Sequence, residues 1–291
     1  MSRAATARVW LLAHPAGHSL SPLMHNAAFA ALGARVEYAA LDVAPADLPA
    51  AFERLRRPEV LGANVTVPHK QAALRLVDRV EEEAGALGAV NTVVNAGGTL
   101  VGSNTDGAGF VAGLLELAPE FARGGFAALV LGAGGAARAV VWALARLGAD
   151  VSVLNRDPER AARLAGDLLA AGPGPGALLA LGAGTARASG VDLVVNTTSV
   201  GMAGGPAPDG LPLLTRADLA RLAGGAVVVD LVYRPAVTPL LAAAAALGAR
   251  CQNGVAMLVG QGALSQAAWT GLEAPVGVMR RAVEEALAGE R

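Results

Sequence analysis

The sequence contains very little lysine. Of its 23 lysine and arginine residues, one is lysine, Lys70, and the other 22 are arginine. Cysteine occurs once, histidine four times, and aromatic residues make up 3% of the 291 positions. A sequence that uses arginine almost everywhere has kept a single ammonium group, and that residue requires an explanation.

These low counts exclude several classes of protein. A net charge of -1 gives no basic surface for nucleic acid or for an anionic membrane, so we expect neither partner. Because Cys251 has no second cysteine to pair with, a reducing compartment is favoured. The histidine spacing matches no zinc pattern, so we expect no metal. The apolar run 9–13 is too short for a signal-peptide core, and we therefore expect a soluble, cytoplasmic protein.

Short apolar runs alternate with helical patterns along the chain, which is typical of α/β proteins with a mostly parallel sheet. We predict two α/β units joined near 106–124. Ser21 and Asp106 each precede or open a helical pattern and are predicted N-caps. The predicted strands are 8–13, 36–43, 63–67, 90–95, 99–102, 127–131, 150–154, 191–196 and 226–232. The predicted helices begin near Ser21, Pro45, Pro68, Asp106, Pro158 and Thr238, and a further one ends near Gly148.

A glycine-rich turn at 132–137 follows the strand 127–131 and opens a helix. Gly132 permits the tight turn, and Gly134 lets the backbone approach a pyrophosphate. The helix N-terminus supplies free N–H groups for phosphate. The strand-turn-helix setting predicts dinucleotide binding rather than an ordinary turn.

The end of the following strand bears on which dinucleotide binds. NAD sites usually carry an acidic residue there, whereas arginine accommodates a 2′-phosphate. Here Asn155 and Arg156 end the strand, with Arg160 one turn further on. Asp157 would repel a phosphate if it faced the pocket, but it can instead cap the helix that Pro158 begins. The pattern favours NADP over NAD.

Lys70 stands at the end of a predicted strand, in the stretch 64–70, where open α/β sheets bind ligands. Oxidation of an alcohol requires a group that takes the hydroxyl proton, which a lysine can do and an arginine effectively cannot. This difference would keep arginine out of position 70. The alternative is a solvated surface lysine retained by chance.

Two further groups could serve the same chemistry. Asp106 could pair its carboxylate with Lys70 instead of serving only as a helix cap. Ser19 and Ser21 place two hydroxyls at a strand-to-helix turn, where they could hold a substrate carboxylate.

Together, these stretches resemble the shikimate dehydrogenase family over nearly the whole chain. Several motifs in the right order are far more specific than one glycine turn. The matching stretches are 18–22, 24–26, 64–70, 88–92, 104–107, 132–136, 155–156, 230–235, 254, 257–259 and 261–263.

The resemblance implies an N-terminal α/β substrate domain and a Rossmann-like, doubly wound dinucleotide-binding domain. It places 1–106 in the first, with 255–291 packing back onto it, and 107–254 in the second. It implies reversible reduction of 3-dehydroshikimate to shikimate with NADPH by a monomer or homodimer, with Lys70 and Asp106 as the catalytic pair. The implied substrate contacts are Ser19, Ser21, Asn64, Thr66, Asn91, Asp106, Tyr233 and Gln261. The implied cofactor or cleft positions are Gly132, Ala133, Gly134, Gly135, Ala136, Asn155, Arg156, Arg160, Leu231, Gly254 and Met257.

The chain departs from the family pattern at a few positions. Asp157 stands where the family commonly has threonine, which bears on the NADP preference, and Gln266 stands where an aromatic residue is usual. Two other functions stay open at this point. One is a quinate/shikimate dehydrogenase that uses NAD or both cofactors, and the other is a non-catalytic, nucleotide-sensing regulator of the same fold.

Overall fold

A computed structural model describes residues 6–17, 19–181, 190–222 and 225–289. His18, within the first matching stretch, lies outside these residues. The chain divides into two compact units. Unit 1 consists of the described residues of Met1–Gly109 and Leu258–Arg291, and unit 2 is Phe110–Met257.

The strands and helices of the described residues are as follows. The strands are β1 (Ala7–Ala13), β2 (Val36–Asp42), β3 (Val60–Val65), β4 (Arg79–Val80), β5 (Thr92–Ala96), β6 (Thr99–Ser103), β7 (Ala127–Leu131), β8 (Asp150–Leu154), β9 (Leu178–Leu181), β10 (Leu193–Asn196), β11 (Val227–Asp230) and β12 (Arg250–Gln252). The helices are α1 (Ser21–Ala31), α2 (Leu48–Leu55), α3 (Lys70–Ala73), α4 (Glu82–Leu87), α5 (Asp106–Leu117), α6 (Gly135–Arg146), α7 (Pro158–Ala171), α8 (Arg216–Leu219), α9 (Pro239–Ala245), α10 (Val255–Thr270) and α11 (Val276–Gly289).

Unit 1 contains a mixed sheet, which in the described residues has the strand order β2-β1-β3-β5-β6-β4. β1 runs parallel to β2 and β3, and β5 is antiparallel to β3 and β6. The β5–β6 hairpin turns at Gly97 and Gly98, whose φ angles of 66° and 96° suit glycine. One apolar cluster includes Phe52, and another holds Phe29, Tyr38 and Trp269. In the same unit, α11 packs against α1.

Unit 2 contains a parallel sheet with the order β12-β11-β10-β7-β8-β9 among the described residues. Its central strands are buried runs of small aliphatic residues, as expected where helices cover both faces of a sheet. The chain moves outward from β7 through β8 to β9 and then continues on the other side with β10. The strand order therefore reverses between β7 and β10, where doubly wound sheets bind ligands. The predicted α/β architecture is confirmed.

The structure corrects several local predictions. Ser21 is the first residue of α1 and not its N-cap, which is Leu20. Asp106 likewise lies inside α5, and its backbone N–H donates to Asn104 Oδ1 at 3.0 Å. The helix predicted from Pro45 begins as a 3-10 turn before α2. The predicted elements omitted β4, β9, β12, α4 and α8, which have at most six residues each and therefore too little periodicity to detect. They also lacked the long C-terminal helices α10 and α11, where only the packing of 255–291 onto the first domain was expected from the resemblance.

Candidate active site

Lys70 and Asp106 are in direct contact within unit 1. Lys70 opens α3 just after β3, and Asp106 opens α5. Lys70 Nζ donates to Asp106 Oδ2 at 2.5 Å, with 19% of the lysine side chain and 6% of the aspartate side chain exposed. The lysine carbonyl accepts from Val90 N–H at 2.9 Å, which fixes the start of α3. The ammonium is thus largely shielded and held by a carboxylate.

Asn91 orients the other oxygen of that carboxylate. Its Nδ2 donates to Asp106 Oδ1 at 2.8 Å. Its own Oδ1 accepts from the backbone N–H of Thr105 at 2.9 Å and from the Thr92 hydroxyl at 2.9 Å. These acceptor contacts decide which way the amide points. Both oxygens of Asp106 therefore have partners, as a buried carboxylate requires.

Asn64 extends this polar network into the body of unit 1. Tyr38 donates its hydroxyl to Asn64 Oδ1 at 2.8 Å, and Asn64 Nδ2 donates to Ser265 Oγ at 3.0 Å. Ser265 lies 2.7 Å from the Thr92 hydroxyl and donates to the Gln261 carbonyl at 2.9 Å. Tyr38 and Ser265 were not among the predicted site residues. Tyr38 is one of only two tyrosines, which was an available signal.

The other expected substrate positions are divided between the units. Ser19 and Ser21 lie together at the start of α1, where Ser19 Oγ accepts from the Ser21 N–H at 3.2 Å. Burial raises the pKa of Tyr38, and a hydrogen bond with the Ser21 side chain opposes that shift. Thr66 follows β3, and Gln261 lies in the unit 1 part of α10. Tyr233 belongs to unit 2, in the loop that follows β11.

His25 lies under this cluster and is fully buried. Its ring stacks on Tyr38 with centroids 4.4 Å apart, and its Nδ1 lies 3.1 Å from Gln266 Oε1. Burial lowers the pKa of His25 to about 4, so the ring is neutral at physiological pH. Gln266, which replaces the usual aromatic residue, is thus the hydrogen-bond partner of a buried imidazole.

The glycine turn of unit 2 forms one wall of a cavity of about 420 Å³. Gly132 has φ of 106°, and a Cβ there would lie 2.7 Å from Thr197 Oγ1, so both conformation and space require glycine. Gly134 is the N-cap of α6. Thr197 and Thr198, just after β10, line the cavity too. These threonines were not among the predicted site residues, although a polar run after a buried strand is a signal for this strand edge.

Asn155, Arg156 and Asp157 of the β8–α7 connection and Arg160 of α7 line the same cavity. The side chains of Arg156 and Arg160 are exposed there, and Asn155 Nδ2 donates to the Asp157 carbonyl at 3.0 Å. Asp157 is the N-cap of α7 and accepts the Arg160 N–H at 3.2 Å, which confirms the predicted capping. Two guanidinium groups beside a glycine turn suit the phosphates of a dinucleotide, including a 2′-phosphate.

Leu231, Gly254 and Met257 lie on neighbouring segments of unit 2. The backbone N–H of Leu231 donates to the Asn196 carbonyl at 2.9 Å, and the N–H of Gly254 donates to the Val232 carbonyl at 3.1 Å. A Cβ at Gly254 would lie 2.0 Å from the Leu231 carbonyl oxygen, so only glycine allows this approach. Met257 is half-buried in α10.

Neither a membrane span nor a metal cluster is found in the part of the chain that the structure describes. None of its helices is both long and apolar enough to cross a bilayer. No group of three His, Cys, Asp or Glu side chains there is arranged to hold a metal ion.

Three family descriptions match successive parts of the chain. Residues 11–93 match the "Shikimate dehydrogenase substrate binding domain", and residues 254–284 match the "Shikimate 5'-dehydrogenase C-terminal domain". Residues 94–234 match the "Alanine dehydrogenase/PNT, C-terminal domain". The matched segments include the Lys70 site, the glycine turn and the unit 1 part of α10.

Relatives and solved structures cover almost the full length. Shikimate dehydrogenase (NADP(+)) of Moorella thermoacetica is 49% identical, covering 98% of this chain and 95% of the relative. The crystal structure of shikimate 5-dehydrogenase from Thermus thermophilus in complex with NADP(H) and shikimate is 40% identical with a TM-score of 0.82, covering 97% and 100% of the two chains. Quinate dehydrogenase from Corynebacterium glutamicum in complex with NAD is 34% identical with a TM-score of 0.86, covering 96% and 99%.

Identity of this degree over almost the full length of both chains establishes the family. The Lys70–Asp106 contact and the doubly wound sheet of unit 2 are consistent with that family. The chain belongs to the shikimate dehydrogenase family.

Proposed function

We propose that this protein is an NADP-dependent shikimate dehydrogenase that reversibly reduces 3-dehydroshikimate to shikimate. The observation that carries the proposal is the contact of Lys70 Nζ with Asp106, whose second oxygen is held by Asn91. This arrangement presents one shielded ammonium beside a carboxylate, which suits proton transfer at an alcohol oxygen. The similar proteins named above include a shikimate dehydrogenase (NADP(+)) of nearly the same length.

The glycine turn and the arginines of unit 2 would hold NADPH, which would supply the hydride for reduction of the substrate carbonyl carbon. Lys70 delivers the proton to the developing alkoxide oxygen, and in the oxidation it removes that proton from the hydroxyl. Asp106 keeps the ammonium in place and stabilises its charge when the lysine is protonated. Arginine at position 70 would supply the charge and not the proton transfer.

The other unit 1 side chains bind and orient the substrate. Ser19 and Ser21 hold its carboxylate near the N-terminus of α1. Asn64, Thr66, Asn91 and Gln261 contact its hydroxyl groups, and Tyr233 is assigned to the substrate as well. Because Tyr38 and Ser265 fix the Asn64 amide, its donor and acceptor are set before substrate arrives.

The cavity of unit 2 holds NADP in this proposal. Gly132, Ala133, Gly134, Gly135 and Ala136 would hold the pyrophosphate, and Asn155, Arg156 and Arg160 would hold the adenosine ribose and its 2′-phosphate. Asp157 lines the cavity too, and one oxygen of its carboxylate accepts the Arg160 N–H as the N-cap of α7. Unit 1 is accordingly the substrate domain and unit 2 the NADP-binding domain.

A quinate dehydrogenase that uses NAD is the nearest alternative, since a protein of that name shares the fold. The two exposed arginines favour NADP over NAD, and the intact Lys70–Asp106–Asn91 arrangement disfavours a non-catalytic regulator. Cytoplasmic location and a monomer or homodimer stay predictions from the sequence.

The test is an absorbance assay of the purified protein at the nicotinamide band, with shikimate and quinate each paired with NADP+ and NAD+. We expect the highest kcat/KM for shikimate with NADP+. A value for NAD+ at or above that for NADP+ would contradict the cofactor assignment. A kcat/KM for quinate equal to that for shikimate would contradict the substrate assignment. NADP+ binding without turnover of either substrate would support the regulator.

A further inference from the structure

Asp230 is a fully buried carboxylate in unit 2 that the mechanism above does not use. It is the last residue of β11 and 0% exposed. Its Oδ1 accepts from Asn196 Nδ2 at 2.8 Å and from the Val232 N–H at 3.0 Å, and its Oδ2 accepts from the Thr238 hydroxyl at 2.7 Å. These partners belong to two different segments of the chain, and each segment leads to a group with an assigned role.

The first segment is the wall of the NADP cavity beyond β10. Asn196 is fully buried, and its Oδ1 accepts from Thr198 through both the backbone N–H, at 3.0 Å, and the hydroxyl, at 2.7 Å. Because a carboxylate can only accept, Asp230 compels Asn196 to turn its NH2 towards it and its oxygen towards Thr198. Thr198 lines the cavity. One side of Asp230 therefore sets the shape of this wall.

The second segment is the loop 231–238, which carries Tyr233. Asp230 closes this loop on itself, since it accepts from Val232 near the start and from Thr238 at the end. Thr238 also accepts the Leu241 N–H as N-cap of α9, so its hydroxyl proton remains for Asp230. The Ala203 N–H donates to the Arg234 carbonyl at 2.8 Å, which fixes the middle of the loop.

We infer that Asp230 is a positioning residue that holds the cavity wall through Asn196 and the Tyr233 loop through Thr238 and Val232. The inference rests on the proposed function, in which the cavity binds NADP and Tyr233 contacts the substrate. An amide at position 230 has one acceptor oxygen where the carboxylate has two, so it can serve only part of this network.

The experiment separates the two segments with one variant each. Asn196→Ala removes the link to the cavity wall, and Thr238→Val removes the hydroxyl while keeping the side-chain shape. Thr238→Ser keeps the hydroxyl and is the matched control. For each full-length protein, the Kd for NADP+ is measured by calorimetry without substrate, and KM for shikimate is measured at saturating NADP+. The melting temperature is recorded alongside.

We expect Asn196→Ala to raise the Kd for NADP+ about tenfold, as the loss of a buried hydrogen bond would. Thr238→Val should raise KM for shikimate several-fold and leave the Kd for NADP+ within about twofold. Asp230→Asn should raise both constants, and Thr238→Ser should raise neither. Constants that rise together in all variants, in step with a falling melting temperature, would overturn the inference. Wild-type protein that does not bind NADP+ would overturn the proposed function and this inference with it. If the wild-type protein binds NADP+ but Asn196→Ala and Thr238→Val do not affect the Kd and the KM separately, the inference alone is overturned.

Discussion

Among the described residues, each unit has a buried aspartate at the centre of a polar network, and the two differ in their partners. Asp106 in unit 1 is paired with the ammonium of Lys70, whereas Asp230 in unit 2 is held by three neutral donors. Burial raises the pKa of Asp230 because those hydrogen bonds do not offset the lost hydration. A buried carboxylate does not identify a catalytic site by itself. A catalytic site is indicated where the carboxylate is paired with a group that can give up a proton.

The surroundings of the two aspartates differ as well. In unit 1 a chain of side-chain hydrogen bonds leads from Asp106 through Asn91 and Thr92 to Asn64, which also donates to Ser265. In unit 2 the cavity is lined by a glycine turn and by exposed arginines. A preformed network suits a site where atoms must be aligned, and a glycine turn with two exposed guanidinium groups suits a phosphate-bearing ligand.

The largest effect is expected at the ammonium that distinguishes Asp106 from Asp230. Lys70→Arg keeps a positive charge beside the carboxylate and removes the proton transfer. We expect kcat to fall by about 100-fold or more with a modest change in KM, measured as steady-state oxidation of shikimate.

The matched control for that variant is the reverse exchange at an exposed cation. Arg163 lies on α7 and pairs with Glu159 on the surface. Arg163→Lys should leave kcat and KM unchanged. A near-normal kcat for Lys70→Arg would show that the ammonium is not the proton donor.

As the pH falls, the buried titrating groups of the two units should change the free energy of unfolding in opposite directions. The pKa of His25 is 6.5 unfolded and about 4 folded, so its contribution is present above pH 6.5 and is lost as the pH falls to 4. The loss amounts to about 3 kcal/mol of unfolding free energy. The pKa of Asp230 is raised by folding, so protonation of this group favours the folded state as the pH falls towards 3.8.

Urea unfolding between pH 7 and pH 4 measures these slopes. His25→Phe should flatten the loss below pH 6.5, whatever its stability at pH 7. Asp230→Asn should make the unfolding free energy fall more steeply at acid pH, because the variant removes a group whose protonation favours the folded state. A His25→Phe protein with the wild-type slope would mean that folding does not lower the pKa of His25.

A smaller effect is expected at the exposed arginines of the unit 2 cavity. Arg156→Ala should raise KM for NADPH by about tenfold and KM for NADH much less, because the lost partner is the 2′-phosphate. The control is Arg163→Ala, which removes a guanidinium from α7, the helix that follows Arg156, and should change neither KM. Equal increases for the two cofactors would place Arg156 away from the 2′-phosphate.

The smallest effect is expected within the unit 1 network. Ser265→Ala removes the acceptor that holds Asn64 Nδ2 and should raise KM for shikimate about threefold, at a cost of ~1 kcal/mol of stability. Thr270→Ala is the matched control, since Thr270 lies on the same helix and donates to the carbonyl of Gln266. A Ser265→Ala enzyme with unchanged KM would show that Tyr38, Thr92 and the Asn91 carbonyl suffice to orient Asn64.

Much of the fold could be read from local signals. Strands β7 and β8 have the predicted bounds, since buried aliphatic runs between turn residues are unambiguous. The capping of α7 by Asp157 was also predicted, because proline at the next position leaves few other starts for a helix. The predicted N-caps Ser21 and Asp106 were wrong, because a serine or aspartate before a helix can serve equally as cap or as first helical residue.

The sequence by itself determined the two α/β patterns, the glycine turn and the special status of Lys70, because each depends on residue types a few positions apart. Only the tertiary structure decided which polar side chains meet. Asn64 meets Ser265 across 201 positions, and Asn196 meets Asp230 across 34. Such contacts arise from the packing of a helix on a sheet and from the order of its strands, which no local spacing records. For the same reason, one lysine in the composition indicated where chemistry occurs, and the fold supplied the aspartate and the amide that hold it.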